Sequence, residues 1–105
     1  MSLIVEVNKQ DNICMIKLSG ILDISSVGLF KPQELQLEDI DSLLIDFSGM
    51  EFIDSTGLGA ILDILFLSED KRFSVRFAGL NDDLNEIFET VGVFTILETL
   101  QGREG

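Results

Sequence analysis

Residues 43–62 read LLIDFSGMEFIDSTGLGAIL, and this stretch indicates how the chain folds. The apolar run Leu43–Phe47 is typical of a strand that is buried on both faces. Asp54 and Ser55 are residue types that commonly cap a helix. Apolar residues then recur at the helical spacing i, i+3, i+4, i+7, at Leu58, Ile61, Leu62 and Leu65. A buried strand followed by such a helix predicts an α/β domain.

The rest of the chain alternates strands and helices in the same way. Strands are indicated by β-branched and apolar runs, and helices by capping residues and helical spacing. In chain order, the predicted elements are strands at 3–7 and 13–18, a helix from Ser25 or Ser26 toward Leu37, a strand at 43–47, a helix from Asp54 to about Ser68, a strand at 73–77, a helix from Asn81 or Asp82 through Thr90, and a strand at 94–97. This order predicts a mostly parallel sheet, with residues 1–105 in one domain.

Two residues set limits within this pattern. Pro32 interrupts the first helix, which we therefore expect to be short or split. Gly92 fits the position that follows the C-terminal end of the last predicted helix. Residues 1–3 and 104–105 are candidates for remnants of an expression vector, so they receive no functional weight.

The charge of the chain argues against two classes of partner. Nineteen acidic and seven basic side chains give a formal net charge of −12. Nucleic acids and anionic membranes both favour proteins with Lys- and Arg-rich surfaces. No apolar stretch approaches the roughly 20 residues that span a bilayer, and the N-terminus has no signal-peptide pattern. We expect a cytoplasmic protein that binds no nucleic acid, does not insert into a membrane and attracts basic protein partners.

The residues of common catalytic and metal sites are missing from the sequence. Cys14 is the only cysteine and there is no histidine, which argues against a zinc site and a catalytic triad. A single cysteine in an apolar run also fits a buried thiol in a reducing compartment. Gly57 and Gly59 lack the third small residue of a dinucleotide-binding loop, since Leu62 stands at that position. These absences argue against most familiar enzymes, although a serine–lysine or paired-carboxylate site stays open, and we expect no metal and no cofactor. That the protein is not an enzyme is an expectation from the family resemblance described below.

The polar residues at the start of the central helix need more than helix capping to explain them. One capping residue stabilises a helix by about 1 kcal/mol, but Asp54, Ser55 and Thr56 stand together and are followed by two glycines. Glycine in the first turn leaves space for another backbone to approach. A phosphate on Ser55 would add a charge of about −2 beside Asp54 and repel a bound partner. The stretch predicts a docking surface that phosphorylation of Ser55 switches off.

These residues resemble the signature of STAS domains, a family that includes bacterial anti-sigma factor antagonists. The resemblance rests on LIDFS at 44–48 and FIDSTGLG at 52–59, on LSGILD at 18–23, and on IFETVGVF at 87–94. It spans nearly the whole chain. It implies an α/β fold with a single STAS-like domain, in which a four- to five-stranded, mostly parallel sheet has an N-terminal hairpin strand and helices mainly on one face.

The resemblance also implies a regulatory function. A partner serine kinase that is itself an anti-sigma factor would bind the unphosphorylated protein, release its sigma factor and later phosphorylate Ser55. A serine phosphatase would then remove the phosphate. The partner-binding residues implied in this way are Asp23, Asp54, Ser55, Thr56, Gly57 and Leu58.

Two departures from the family pattern leave more than one function open. The first helix is short and carries Pro32, and only residues 98–105 follow the predicted last strand, too few for the final helix of the antagonists. Both features resemble the STAS subunit of bacterial lipid-transport ABC complexes, which binds and assembles the ATPase. The sequence is also compatible with the STAS domain of a sulfate-transporter-like permease, with a small nucleotide-binding module and with an enzyme of unrecognised type.

Overall fold

A four-stranded sheet and three helices make up the described part of the protein, which in this computed structural model covers residues 3–30, 37 and 39–102. In chain order, the elements are β1 (Leu3–Gln10), β2 (Ile13–Leu22), a 3₁₀ turn (Val27–Leu29), β3 (Ser42–Ile53), α1 (Ser55–Lys71), β4 (Ser74–Ala78), α2 (Asp82–Thr90) and α3 (Val93–Gly102). The strand order is β1-β2-β3-β4, with β1 antiparallel to β2 and the other neighbours parallel. The predicted mostly parallel sheet with an N-terminal hairpin is confirmed.

The hydrophobic core lies on one face of the sheet, where the helices pack. Along β2, Cys14 and Ile16 are fully buried, whereas Met15 between them is exposed. Burial raises the pKa of the Cys14 thiol, as expected for a structural cysteine. On β3, Asp46 is only partly buried. The prediction that Leu43–Phe47 is buried on both faces is therefore wrong, because none of the described helices covers the second face.

Four phenylalanines connect the last two helices to the sheet. The ring of Phe88 on α2 lies 5.3 Å from Phe47 on β3 and 5.5 Å from Phe77 on β4, between ring centroids and in edge-to-face geometry. Phe94 on α3 lies 6.0 Å from the same ring. Phe88 is fully buried at the centre of this cluster. Edge-to-face pairs add stabilisation beyond the burial of apolar area, so this cluster fixes where α2 and α3 pack.

Residues 94–97 belong to α3, and the predicted last strand is wrong. Gly92 has a φ of +83° directly after α2, and a new helix begins at Val93. Val93 and Leu100 are both buried, at the helical spacing i, i+7. A short apolar run does not distinguish a strand from a buried helix. The sequence pattern predicted no helix at the C-terminal end, whereas the structure has α3 there.

Two other elements differ from the prediction. Within the span of the predicted first helix, the described residues form only the 3₁₀ turn Val27–Leu29, and residues 31–36, including Pro32, lie outside them. β3 continues well beyond the predicted strand, and Ile53 pairs with Leu22 after two register shifts between β2 and β3. These irregularities bring the ends of both strands to the same edge of the sheet.

No helix within the described ranges is long and apolar enough to cross a membrane.

The aromatic cluster leads to a first prediction. Phe88→Ala should lower the free energy of unfolding by about 3–5 kcal/mol, because a buried ring is lost and a cavity remains. Urea denaturation monitored by circular dichroism measures the loss. Phe66→Ala is the matched control, since the Phe66 side chain on α1 is 53% exposed and its truncation should change stability by less than about 1 kcal/mol. Equal losses in the two variants would contradict the role of the cluster.

Candidate functional site

The residues singled out from the sequence lie where the parallel strands end. Asp23 follows β2, Asp54 follows β3, and Asn81 follows β4 after a short turn. The carboxyl ends of parallel strands meet at one edge of a sheet, and binding sites commonly form there. Asp54 caps α1 and Asn81 caps α2, as the sequence predicted. The candidate site is built on the first of these two helix starts.

The side chain of Asp54 joins two segments of the site. Its Oδ1 accepts a hydrogen bond from the backbone N–H of Gly57 at 2.9 Å, which caps α1. Its Oδ2 accepts a hydrogen bond from the backbone N–H of Ile24 at 3.2 Å, thirty residues earlier in the chain. The Asp54 N–H also donates to the carbonyl oxygen of Leu22 at 3.2 Å. One carboxylate therefore starts the helix and holds the loop after β2 beside it.

That loop, residues 23–26, is organised by the carboxylate of Asp23. Asp23 Oδ1 accepts hydrogen bonds from the hydroxyl of Ser25 at 2.7 Å and from its backbone N–H at 3.0 Å. The hydroxyl of Ser26 donates to the carbonyl oxygen of Ile21 at 2.7 Å. The hydrogen bond from the Ser25 hydroxyl is the main cause that lowers the pKa of Asp23 below its usual value. The loop consequently presents a second fixed negative charge next to Asp54.

Ser55 and Thr56 are exposed at the first two positions of α1. Asp54 provides the side-chain cap of the helix, so neither hydroxyl is needed for capping. In the described part of the chain, neither hydroxyl makes a hydrogen bond to another group. Capping therefore explains Asp54 and leaves these two hydroxyls accessible to another protein.

The two glycines of the first turns have different roles. A Cβ atom at Gly57 would overlap the carbonyl oxygen of Leu22 and lie 2.8 Å from Cγ1 of Ile53, so the helix could not start against β2 with any other residue. A Cβ atom at Gly59 would have no neighbour within 4 Å. Gly57 thus serves the packing of the fold, whereas Gly59 leaves open surface one helical turn beyond Ser55.

Gly57 and Leu58 contribute to the site differently from the other predicted residues. Both are buried, and the Leu58 side chain is 6% exposed and packs in the core. A partner could contact them only through small exposed areas. Their assignment as partner-binding residues stays a prediction, as it does for the remaining members of the set.

Two exposed apolar side chains next to the site were not predicted from the sequence. Ile24, whose N–H binds Asp54, is 75% exposed, and Leu29 in the 3₁₀ turn that contacts α1 is 61% exposed. The feature of the sequence that could have predicted this exposed apolar contact is an isoleucine between two polar residues, Asp23 and Ser25. Among the described residues, no group of acidic and cysteine side chains is arranged to hold a metal ion. The arrangement is suited to protein binding.

The glycines lead to a second prediction, made on a matched pair of variants. Gly57→Ala should lower the free energy of unfolding by about 2 kcal/mol or more, because the added methyl group overlaps backbone atoms of β2. Gly59→Ala should raise it by up to about 1 kcal/mol, since alanine favours the helix and meets no neighbour. Urea denaturation of both variants measures the difference. Similar changes in the two would refute the separate roles.

The Asp23 loop leads to a third prediction. Ser25→Ala should raise the pKa of Asp23 toward 3.8, because the ionised carboxylate loses its main hydrogen bond. A carboxyl group with a lowered pKa stabilises the fold at neutral pH, and this contribution disappears as the pH falls below about 3.8 through the pKa of the folded state. The free energy of unfolding of the variant should therefore change less as the pH falls through this range.

Carbon-detected NMR of the carboxyl groups measures this pKa directly. Asp46 is the internal control, since the backbone N–H of Ser48 is the main cause of its own lowered pKa. The Asp46 titration should be the same in wild type and Ser25→Ala. An unchanged Asp23 titration in the variant would show that the hydroxyl has no such effect.

Curated proteins of known function are similar to this chain over nearly its whole length. The chain is 24% identical over 100 residues to an anti-sigma F factor antagonist of Paenibacillus polymyxa, covering 92% of this chain and 86% of the relative. It is 23% identical over 106 residues to an anti-sigma-B factor antagonist of Staphylococcus aureus, covering 99% and 98%. Both relatives are of similar length to this chain.

Solved structures show the same fold. A crystal structure of an anti-sigma factor antagonist from Mycobacterium paratuberculosis superposes with a TM-score of 0.69 at 20% identity, covering 87% of this chain and 79% of that one. The anti-sigma factor antagonist SpoIIAA in its unphosphorylated form superposes with a TM-score of 0.66 at 17% identity, covering 82% of each chain. The family model of the STAS domain matches residues 5–103, and the chain therefore belongs to the STAS domain family.

Proposed function

We propose that this protein is an anti-sigma factor antagonist controlled by phosphorylation of Ser55. In the unphosphorylated state it binds a cognate anti-sigma factor that is a serine kinase, and the sigma factor is released. The kinase then phosphorylates Ser55, the complex dissociates, and a serine phosphatase resets the protein. The protein acts as a binding partner and a kinase substrate. Its relatives named as anti-sigma factor antagonists, aligned over nearly its full length, support this assignment.

The observation that carries the proposal is that the Ser55 hydroxyl makes no hydrogen bond in the described part of the chain and can be reached from solvent. Ser55 is exposed, and its neighbour Asp54 performs the capping that would otherwise occupy a serine at a helix start. Gly59, one turn along the helix, leaves open space beside it. A kinase needs a serine that it can reach, and a reversible switch needs a residue whose modification does not disturb the fold. Ser55 meets both requirements.

A phosphate at Ser55 would change the surface more than the fold. The N-terminus of α1 favours a negative charge through its free N–H groups and the helix dipole. The modified protein should therefore remain folded. A phosphate adds a charge of about −2 beside the carboxylates of Asp54 and Asp23, on a surface that a partner must desolvate in order to bind. Binding is lost because the bulky, strongly hydrated phosphate must be desolvated in an interface that fits an uncharged hydroxyl, and unfolding is not required.

The proposed docking surface combines charge with exposed apolar area. Asp23 and Asp54 provide fixed negative charges, and Ile24 adds a largely exposed apolar side chain. The complementary surface on the kinase carries basic groups opposite Asp23 and an apolar contact for Ile24, with no basic group facing Ser55. The net charge of −12 on this chain increases the rate at which such a basic surface is encountered. The proposed partner-binding residues are Asp23, Asp54, Ser55, Thr56, Gly57 and Leu58, together with Ile24.

The hypothesis of an ABC-transporter subunit loses one of its two supports. It rested on Pro32 and on a C-terminus that was too short for a final helix. α3, at Val93–Gly102, is that helix. Pro32 lies outside the described residues and favours neither function. A single function is therefore proposed.

Mass spectrometry and binding measurements test the switch. Protein purified from its native host should contain a phosphorylated form, with the phosphate mapped to Ser55 and absent in Ser55→Ala. Each anti-sigma serine kinase of that host is then titrated by isothermal calorimetry. Ser55→Asp should weaken the wild-type interaction at least about tenfold, because a charged carboxylate must be desolvated where the wild-type interface holds an uncharged hydroxyl.

Thr95→Asp is the matched control for this experiment. Thr95 is exposed near the start of α3, so the substitution adds the same charge at another helix N-terminus. It should leave kinase binding within about twofold of wild type, since Thr95 is not one of the proposed partner-binding residues. If Ser55→Asp binds every kinase of the host as tightly as wild type does, the proposed switch is wrong.

A further inference from the structure

A groove of about 290 Å³ lies between the end of β3 and the start of α2, on the far side of β3 from the Asp23 loop. Its apolar lining comes from Phe52 and Ile53 on the strand and from Leu84 and Ile87 on the helix. Ile53 and Leu84 are buried, whereas the Phe52 ring is 52% exposed. A large aromatic side chain is thus left partly in water at the mouth of an apolar groove.

The strand edge beside this groove has no partner among the described strands. β4 pairs with β3 only from Ser42 to Asp46. After Ala78 the chain turns away at Gly79, where a Cβ atom would lie 2.6 Å from the backbone nitrogen of Ser48, and continues into α2. The following part of β3 pairs with β2 on one side only. Its other edge offers backbone N–H and C=O groups to a further strand.

The rim of the groove carries only negative charge. Glu51 lies on β3 and Asp83 and Glu86 lie on α2, and all three side chains are exposed. No Lys or Arg of the described residues contributes to the lining. The complementary ligand therefore carries Lys or Arg side chains. A second copy of this chain is disfavoured, because each copy has a net charge of −12.

We propose that this groove binds an extended, basic segment of a partner protein as an additional strand on the free edge of β3. The backbone of the segment pairs with the strand edge, which is a common mode of peptide recognition. Its apolar side chains cover Phe52 and Leu84, and its long Lys or Arg side chains reach the carboxylates at the rim. Ser55 does not line the groove, so this inference does not depend on the phosphorylation switch.

A synthetic peptide of alternating lysine and valine, capped at both ends, is the probe. Titrated into ¹⁵N-labelled protein, it should shift the amide signals of residues 49–53 and 83–87 in a saturable manner. The triple variant Glu51→Gln, Asp83→Asn, Glu86→Gln should raise the Kd about tenfold, because it removes the attraction at the rim. Signal changes centred on any other surface would overturn the proposal.

A control triple variant separates the groove from general attraction between opposite charges. Glu6→Gln, Asp70→Asn, Glu98→Gln removes the same charge at exposed positions outside the groove lining. Its Kd should stay within about twofold of wild type, since distant charges are screened. An equal loss of affinity in both triple variants would show that only net charge matters and would overturn the proposal.

Two further measurements test the mode of binding. A peptide with N-methyl groups on alternate residues cannot pair with a strand edge, so it should bind at least about tenfold more weakly. Equal binding would rule out an added strand. Ile24→Ala, which removes an exposed apolar side chain beside Ser55 and outside the groove lining, should bind the unmodified peptide within about twofold of wild type. A large loss in that variant would place the peptide at the surface around Asp23, Ile24, Asp54 and Ser55 (the Ser55 surface) and would overturn this inference. The phosphorylation switch is tested separately by kinase binding.

Discussion

The carboxylate of Asp54 is the interaction on which the site depends. One oxygen caps α1 through Gly57, and the other holds the N–H of Ile24 in the loop after β2. A single side chain thereby fixes the start of the central helix relative to a loop that is distant in sequence. Because Asp54 performs the capping, Ser55 is free of a structural role. The accessibility of the proposed phosphorylation site is a consequence of its neighbour's hydrogen bonds.

Packing on one side of the sheet determines where a partner can bind. The helices and the phenylalanine cluster occupy one face, and β4 covers only the first part of β3. The carboxyl ends of the parallel strands therefore have two open surfaces, the Ser55 surface on one side of β3 and the acidic groove on the other. Both carry negative charge and exposed apolar side chains, Ile24 at the first and Phe52 at the second. This combination suits basic protein partners.

The sequence predicted best the features that depend on neighbouring residues. The caps at Asp54 and Asn81 were predicted because a capping side chain bonds to N–H groups within the next turn. The final strand was predicted wrongly because the run at residues 94–97 is too short to show its period. Its helical state depends on packing of Phe94 against Phe88 on another helix. Periodicity and capping describe only neighbouring residues, so they do not predict this contact between two helices.

The sequence by itself determined the α/β class, the parallel sheet, the starts of α1 and α2, and the polar residues at the candidate site. These follow from periodicity and capping, which act over a few residues. Only the tertiary structure decided that Gly57 serves packing while Gly59 faces open space, since the difference is the distance to Leu22 and Ile53. It also decided that the end of β3 has an edge with no partner among the described strands, because β4 stops pairing at Asp46. Such features depend on contacts between segments far apart in the chain, and a single sequence does not specify those distances.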